Sequence, residues 1–90
     1  MKKYYLVRFT SKTGRINKTL EGLGMGLLKL WALQNTTKTT ECFMFDEDGV
    51  IGYHTIGKPN GFPEVDTDYN GDNIEDYCPG MLQSVGGAAV

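Results

Sequence analysis

A run of leucines at helical spacing lies between two β-hairpin patterns, and this order limits what a 90-residue chain can fold into. From residue 23 to residue 35, apolar side chains recur every three or four positions, which predicts a helix. On each side of it, stretches of aromatic and β-favouring residues flank a turn signal, Gly14 in the first hairpin and Asp48 with Gly49 in the second. The four predicted strands are residues 3–10, 15–20, 41–45 and 50–56.

Two hairpins around one helix predict an α+β fold in which the helix packs on one face of a four-stranded sheet. Two strand orders fit this ββαββ pattern. One is a β-grasp-like sheet with the first and last strands adjacent and parallel, and the other is an all-antiparallel sheet. Residues 1–58 form the predicted core, and residues 59–90 form an irregular, acidic C-terminal extension that packs on the core or trails from it. A chain of this length builds one modest core.

Strand register divides the sheet side chains into two predicted faces. The larger set is expected to meet the helix and consists of Tyr5, Val7, Phe9, Ile16, Leu20, Phe43, Phe45, Val50, Gly52, His54 and Ile56. The set on the far side consists of Tyr4, Leu6, Cys42, Met44, Ile51 and Tyr53. Because an apolar surface of that extent is rarely left in water, we expect residues 59–90 or a partner to cover it.

Charge is divided between the two halves of the chain. Residues 1–40 hold eight of the nine Lys and Arg residues and one acid, Glu21, a net charge of +7. Residues 41–90 hold ten of the eleven acids and one base, Lys58, a net charge of −9. Such an uneven distribution of charge is more informative about possible binding partners than about the fold. The two poles either neutralise each other, with the acidic loop lying on the first hairpin, or stay free for partners.

The acidic loop over residues 66–76 begins like a calcium-binding loop. Its D-x-D-x-N-G pattern places oxygen ligands at alternate positions before a glycine turn, as EF-hand loops do. It departs from that pattern where Ile74 comes one place late and Tyr77 replaces the bidentate Glu. The alternative is a solvated acidic turn, and no cofactor is expected unless this loop binds calcium. The predicted ligands are Asp66, Asp68, Asn70, Asp72 and Asp76.

The basic first hairpin makes nucleic acid a further alternative. Arg8, Arg15 and Tyr4 fall on one predicted face, where cations would lie beside a ring that stacks on bases. The sequence pI of about 5.2 disfavours this role, because nucleic-acid-binding domains usually carry a basic balance.

Catalysis is not predicted. His54 is the only histidine, and the register puts it on the opposite face from Cys42, so the two do not form a catalytic pair. Cys42 and Cys78 belong to no CxxC motif and are expected to be free thiols. The apolar residues 20–33 are too few for a membrane span, and Arg8 interrupts any signal-peptide core, so we expect a cytoplasmic protein.

The favoured function is a small non-enzymatic accessory module that binds another protein or a second copy of itself. The over-apolar helix and the apolar far side of the sheet are the predicted contact surfaces, and the acidic residues 64–76 are expected to steer the partner. The predicted contact residues are Trp31, Leu27, Leu30, Tyr4, Met44, Ile51 and Tyr53.

Overall fold

The computed structural model describes residues 2–85, so residue 1 and residues 86–90 of the predicted extension lie outside the described part. In chain order its elements are β1 (Tyr4–Thr10), β2 (Ile16–Gly22), α1 (Met25–Asn35), β3 (Thr40–Asp46), β4 (Ile51–Gly57), β5 (Pro63–Asp66), a 3₁₀ helix (Ile74–Asp76) and α2 (Met81–Ser84). None of the helices within residues 2–85 is long and apolar enough to cross a membrane.

The five strands form one antiparallel sheet in the order β2-β1-β3-β4-β5. The predicted α+β class and the all-antiparallel alternative are confirmed. The β-grasp-like alternative is wrong, because β1 lies between β2 and β3 and does not pair with β4. The sheet has five strands and not the predicted four, because Pro63–Asp66 of the extension pairs with the outer side of β4.

Helix α1 covers one side of the sheet, which we call the helix face. Its buried residues Leu28 and Ala32 pack against Leu6, Cys42, Met44 and Tyr53, with Tyr4, Leu20, Met25 and Trp31 at the border. The helix ends at Asn35 and is capped by Thr36, whose amide and hydroxyl both donate to the carbonyl of Ala32. Most of the set predicted for the far side therefore lies beneath the helix, so that prediction is corrected.

The other side of the sheet, called here the C-terminal face, is covered by the chain that follows β5. Tyr69, Ile74 and Met81 pack on Tyr5, Val7, Phe9, Phe43, Phe45 and Ile51, with Cys78, Leu82 and Val85 beside them. The larger predicted set thus meets the extension and not the helix. Alternation identifies which residues share a face, but both faces here are apolar, so it does not identify the element that covers each one.

Two β-bulges move individual residues to the face opposite the predicted one. The bulge at Arg8 and Phe9 lets Leu20 pair with Leu6 on the helix face. The bulge at Met44 and Phe45 lets Ile51 pair with Phe45 on the C-terminal face, and it turns Gly52 toward the side chain of Met25. A bulge adds one residue to one strand, so every residue beyond it changes face.

Candidate protein-interaction surface

The outer side of α1 presents a ridge of exposed leucines. Leu27 is 82% exposed, Leu23 just before the helix is 62% exposed, and Leu30 is 51% exposed. Leu27 and Leu30 are three positions apart within α1 and therefore lie on one side of the helix, and Leu23 precedes its N-cap, Gly24. Leu33 is also exposed beside them. We call Leu23, Leu27 and Leu30 the leucine ridge.

The ridge is exposed because α1 is apolar on more sides than the sheet can cover. Leu28 and Ala32 take the buried positions, and the one charged residue of the helix is Lys29. The remaining leucines, Leu27, Leu30 and Leu33, stay 39–82% exposed. Burying a fully exposed leucine side chain is favourable by about 1.5–3 kcal/mol, so any surface that covered this ridge would gain free energy from it.

Cations border the leucine ridge. The Arg8 guanidinium lies 5.2 Å from the centre of the Trp31 ring and donates to the Asn35 carbonyl at 3.1 Å. The Lys29 ammonium lies 5.2 Å from the centre of the Tyr53 ring. Helix α1 has no acidic residue. The surface is therefore an apolar strip with a positive border.

The structure separates the predicted contact residues into two groups. Leu27 and Leu30 are exposed, and Trp31 and Tyr4 are half-buried at the edge of the same helix. Three others are buried within the core and are not available to a partner, namely Met44, Ile51 and Tyr53. The exposed contact surface is therefore the helix and not the sheet.

The residues predicted for nucleic acid do not form one site. The Arg8 guanidinium is engaged, since its Nε donates to the Asn17 side chain at 2.6 Å while the group stacks on Trp31. Tyr4 begins β1, whereas Arg15 follows the far end of that strand in the hairpin turn. Arg8 already donates through two of its N–H groups, and Arg15 and Tyr4 lie at opposite ends of the hairpin, so the three do not converge on one phosphate.

The predicted calcium ligands share a loop but do not converge. Asp66 ends β5, and its carboxylate accepts the amide of Asp68 at 3.0 Å. Asn70 and Gly71 turn the chain at φ values of 20° and 87°. The Asp72 carboxylate accepts the hydroxyl of Tyr77 at 2.9 Å. Within residues 2–85, no three His, Cys, Asp or Glu side chains meet as a metal ion would require.

The charge poles lie at opposite edges of the sheet. The basic hairpin ends in β2 at one edge and the acidic segment begins in β5 at the other, which five strands separate by roughly 19 Å at about 4.8 Å per strand. Over the described residues, the ion pair that joins the two halves of the chain is Lys2 to Asp46, at 3.2 Å. The acidic loop does not fold back onto Arg8 or Arg15.

An aromatic cluster on the C-terminal face surrounds His54. Its ring stacks on Phe43 at 4.1 Å and 6°, with Tyr69 at its edge, and its Nε2 lies 3.0 Å from a carboxylate oxygen of Glu41. The buried Nδ1 has no hydrogen-bond partner in the described part of the chain. Register reasoning placed His54 on the opposite face from Cys42, and it lies there. The same reasoning missed Tyr69 and Tyr77, whose aromatic character in a polar stretch was the available signal.

Neither thiol is activated. Cys42 is buried on the helix face, away from His54, and burial raises the pKa of its thiol. Burial also raises the pKa of the Cys78 thiol. Since the thiolate is the nucleophile, both cysteines are poorly reactive at neutral pH. Both are free in the structure, as predicted.

Comparison of the chain with protein-family models, curated proteins and solved structures gave no match. The proposal for function therefore rests on the surface chemistry of residues 2–85.

Proposed function

We propose that the chain is a small protein-binding module that docks a partner protein on the leucine ridge of α1. The observation that carries this proposal is the exposure of Leu27, at 82%, in a fold whose sheet is covered on both faces. Apolar side chains spaced along one helix face are the usual anchors of helix-mediated docking.

The border of the ridge defines the chemistry of the partner. Because Arg8 and Lys29 flank the leucines, the matching surface carries apolar side chains with acidic groups around them, for example an amphipathic helix with an acidic flank. The acidic residues 64–76 lie at and beyond β5. They would repel such a partner from that edge and so fix its orientation.

The energetics favour a reversible interaction. Because the three leucines together expose about two leucine equivalents, burying them contributes about 3–6 kcal/mol at about 1.5–3 kcal/mol for each fully exposed side chain. Association costs about 4–15 kcal/mol in lost translational and rotational freedom. The two ranges overlap, so the leucine ridge alone gives weak binding, and contacts to the basic border decide the affinity.

Site-specific photocrosslinking tests the proposal. A benzoylphenylalanine at position 27 is expected to give one discrete adduct with a partner protein in cells that express the chain. The same probe at position 13, an exposed residue of the first hairpin turn, is the matched control. Leu30→Asp in the position-27 protein should abolish the adduct, because it places a charge in the centre of the apolar contact.

Three outcomes would contradict the proposal. The first is the absence of an adduct from position 27, and the second is the same adduct from position 13. The third is an adduct that survives Leu30→Asp. An adduct of twice the chain mass would instead identify the partner as a second copy.

A further inference from the structure

The two edge strands of the sheet carry unpaired charges of opposite sign and one exposed apolar residue each. Strand β2 bears Lys18 and Glu21 and follows Arg15; Glu21 lies 3.4 Å from Lys3, and Ile16 is 44% exposed. Strand β5 bears Glu64 and Asp66, and its Val65 is 46% exposed. An edge strand also leaves the backbone groups on its outer side without a sheet partner.

On β2 the bulge separates the apolar and charged residues onto opposite faces. Ile16 pairs with Phe9, which belongs to the C-terminal face. Lys18 pairs with Arg8, which stacks on Trp31 of α1 and so belongs to the helix face. Directly opposed residues of an antiparallel pair lie on one face. The Lys18 ammonium is thus on the helix face and Ile16 on the C-terminal face.

On β5 the arrangement is the reverse. Val65 pairs with Thr55, whose hydroxyl lies 2.6 Å from that of Thr36 at the end of α1, so Val65 is on the helix face. Asp66 pairs with His54, and Glu64 pairs with the next C-terminal-face residue of β4, Ile56. Both carboxylates are therefore on the C-terminal face.

From these two edges we infer that the chain self-associates, with β2 of one copy lying antiparallel to β5 of a second copy that is turned over. Within one copy, β2 and β5 run in the same direction. Turning the second copy over reverses its strands and exchanges its faces. Lys18 then lies on the same side as Asp66, and Ile16 on the same side as Val65. A copy that is not turned over would set Ile16 beside the carboxylates.

The charges also select this pairing over a closed dimer. Pairing of β5 with β5 would oppose carboxylates, and pairing of β2 with β2 at Lys18 would oppose two lysines; like charges destabilise strand pairs. Among the described residues, Lys18 and Asp66 have no ion-pair partner, whereas Glu64 lies 3.7 Å from Lys58. A contact between two different edges is head-to-tail, so the expected product is an open series of copies.

Analytical ultracentrifugation at low salt tests this inference with charge-matched variants. The wild-type mass should rise above 10.0 kDa with concentration and return to it as salt is added. Lys18→Glu should weaken association about tenfold, whereas Lys38→Glu, which gives the same net charge away from the edges, should not. Asp66→Lys and its control Asp76→Lys should behave in the same way.

Recombining the variants identifies the contact. An equimolar mixture of Lys18→Glu and Asp66→Lys proteins should associate again, because every contact between unlike molecules opposes a lysine and a carboxylate. The double variant Lys18→Glu/Asp66→Lys should also recover. Circular dichroism confirms that each variant is folded, and Lys18→Gln replaces Lys18→Glu if that variant is not.

A wild-type mass of 10.0 kDa at every concentration would overturn the inference. Equal loss of association in Lys18→Glu and Lys38→Glu, or no recovery in the mixture, would also overturn it. Leu30→Asp separates this contact from docking on α1. That variant should lose the partner adduct and keep self-association, so either proposal can fail without the other.

Discussion

Gly57 of β4 lies against the backbone that links α1 to β3. A Cβ at this position would overlap the Thr37 carbonyl, so Gly57→Ala forces two backbone segments apart. Overpacking of this kind costs about 1–3 kcal/mol or more, which a urea titration resolves. Gly26 in α1 is the control, because a Cβ there meets no neighbouring atom and alanine should add about 0.5–1 kcal/mol of stability. Equal effects of the two substitutions would contradict the packing described.

The Glu75 side chain holds the start of α2. Its two carboxylate oxygens accept the amides of Leu82 and Gly80, each at 2.9 Å, and these bonds lower the pKa of Glu75 below its ordinary value of 4.5. Because the folded pKa is below the unfolded one, the stabilisation is complete above about pH 4.5 and is lost as the pH falls through the folded pKa.

The Glu75→Gln variant should therefore be less stable than wild type at pH 7, with the difference narrowing as the pH falls from about 5 to 3. Urea midpoints across that range measure it. Glu47→Gln is the control, since Glu47 accepts no side-chain hydrogen bond within residues 2–85. A constant difference between Glu75→Gln and wild type at every pH would rule out the carboxylate as the cause.

Helix α1 shows two neighbouring leucines in opposite environments. Leu28 is 6% exposed and packs on the sheet, whereas Leu27 points away from it. We expect Leu28→Ala to lower the free energy of unfolding by about 2–5 kcal/mol, since it leaves a cavity. Leu27→Ala should change it by less than about 0.5 kcal/mol. If Leu27→Ala proved the more costly, the helix would be rotated from the orientation described.

Much of the fold follows from local patterns, and the rest depends on tertiary contacts. The turn at Gly49 and the alternation around Phe43 were enough to place β3 and β4, and leucine spacing was enough to place α1. Ile51 changed faces because a bulge is set by cross-strand geometry that no single strand displays. Strand β5 was missed because Pro63 and two acids make a poor strand signal, and only its pairing with β4 makes it a strand.

The candidate site was predictable to the same extent. An over-apolar helix indicated that some leucines would stay outside, and Leu27 and Leu30 do. Met44 and Tyr53 were predicted to contact a partner because the sequence does not show which face of the sheet the helix covers and which face the C-terminal extension covers. The face that the helix covers depends on the side of the sheet toward which the chain turns after β2. The side chains of the strands do not determine that direction.

At the scale of the whole molecule, the charge split becomes a polarity between two sheet edges. A net charge of −2 hides this arrangement. Sheet pairing fixes β2 and β5 on opposite sides of three other strands, so the charges of these two edges do not meet within one copy. The polarity is therefore available to partners.

Calcium should not stabilise the protein. The carboxylates of the acidic loop do not converge within the described fold, so a thermal unfolding midpoint measured with millimolar calcium should equal the midpoint measured with a chelator. Magnesium at the same concentration controls for ionic strength. A rise in the midpoint with calcium alone would restore the predicted ligands Asp66, Asp68, Asn70, Asp72 and Asp76 as a site.

The exposure of the leucine ridge is the central claim, and solvent paramagnetic broadening of leucine methyl NMR signals tests it most directly. One methyl-labelled sample contains its own controls, because Leu6 and Leu28 are buried while Leu23, Leu27 and Leu30 are exposed. With a soluble nitroxide in dilute solution, the account predicts strong broadening of the Leu27 methyls and little broadening of the Leu28 methyls. Protection of the Leu27 methyls at every protein concentration would contradict it.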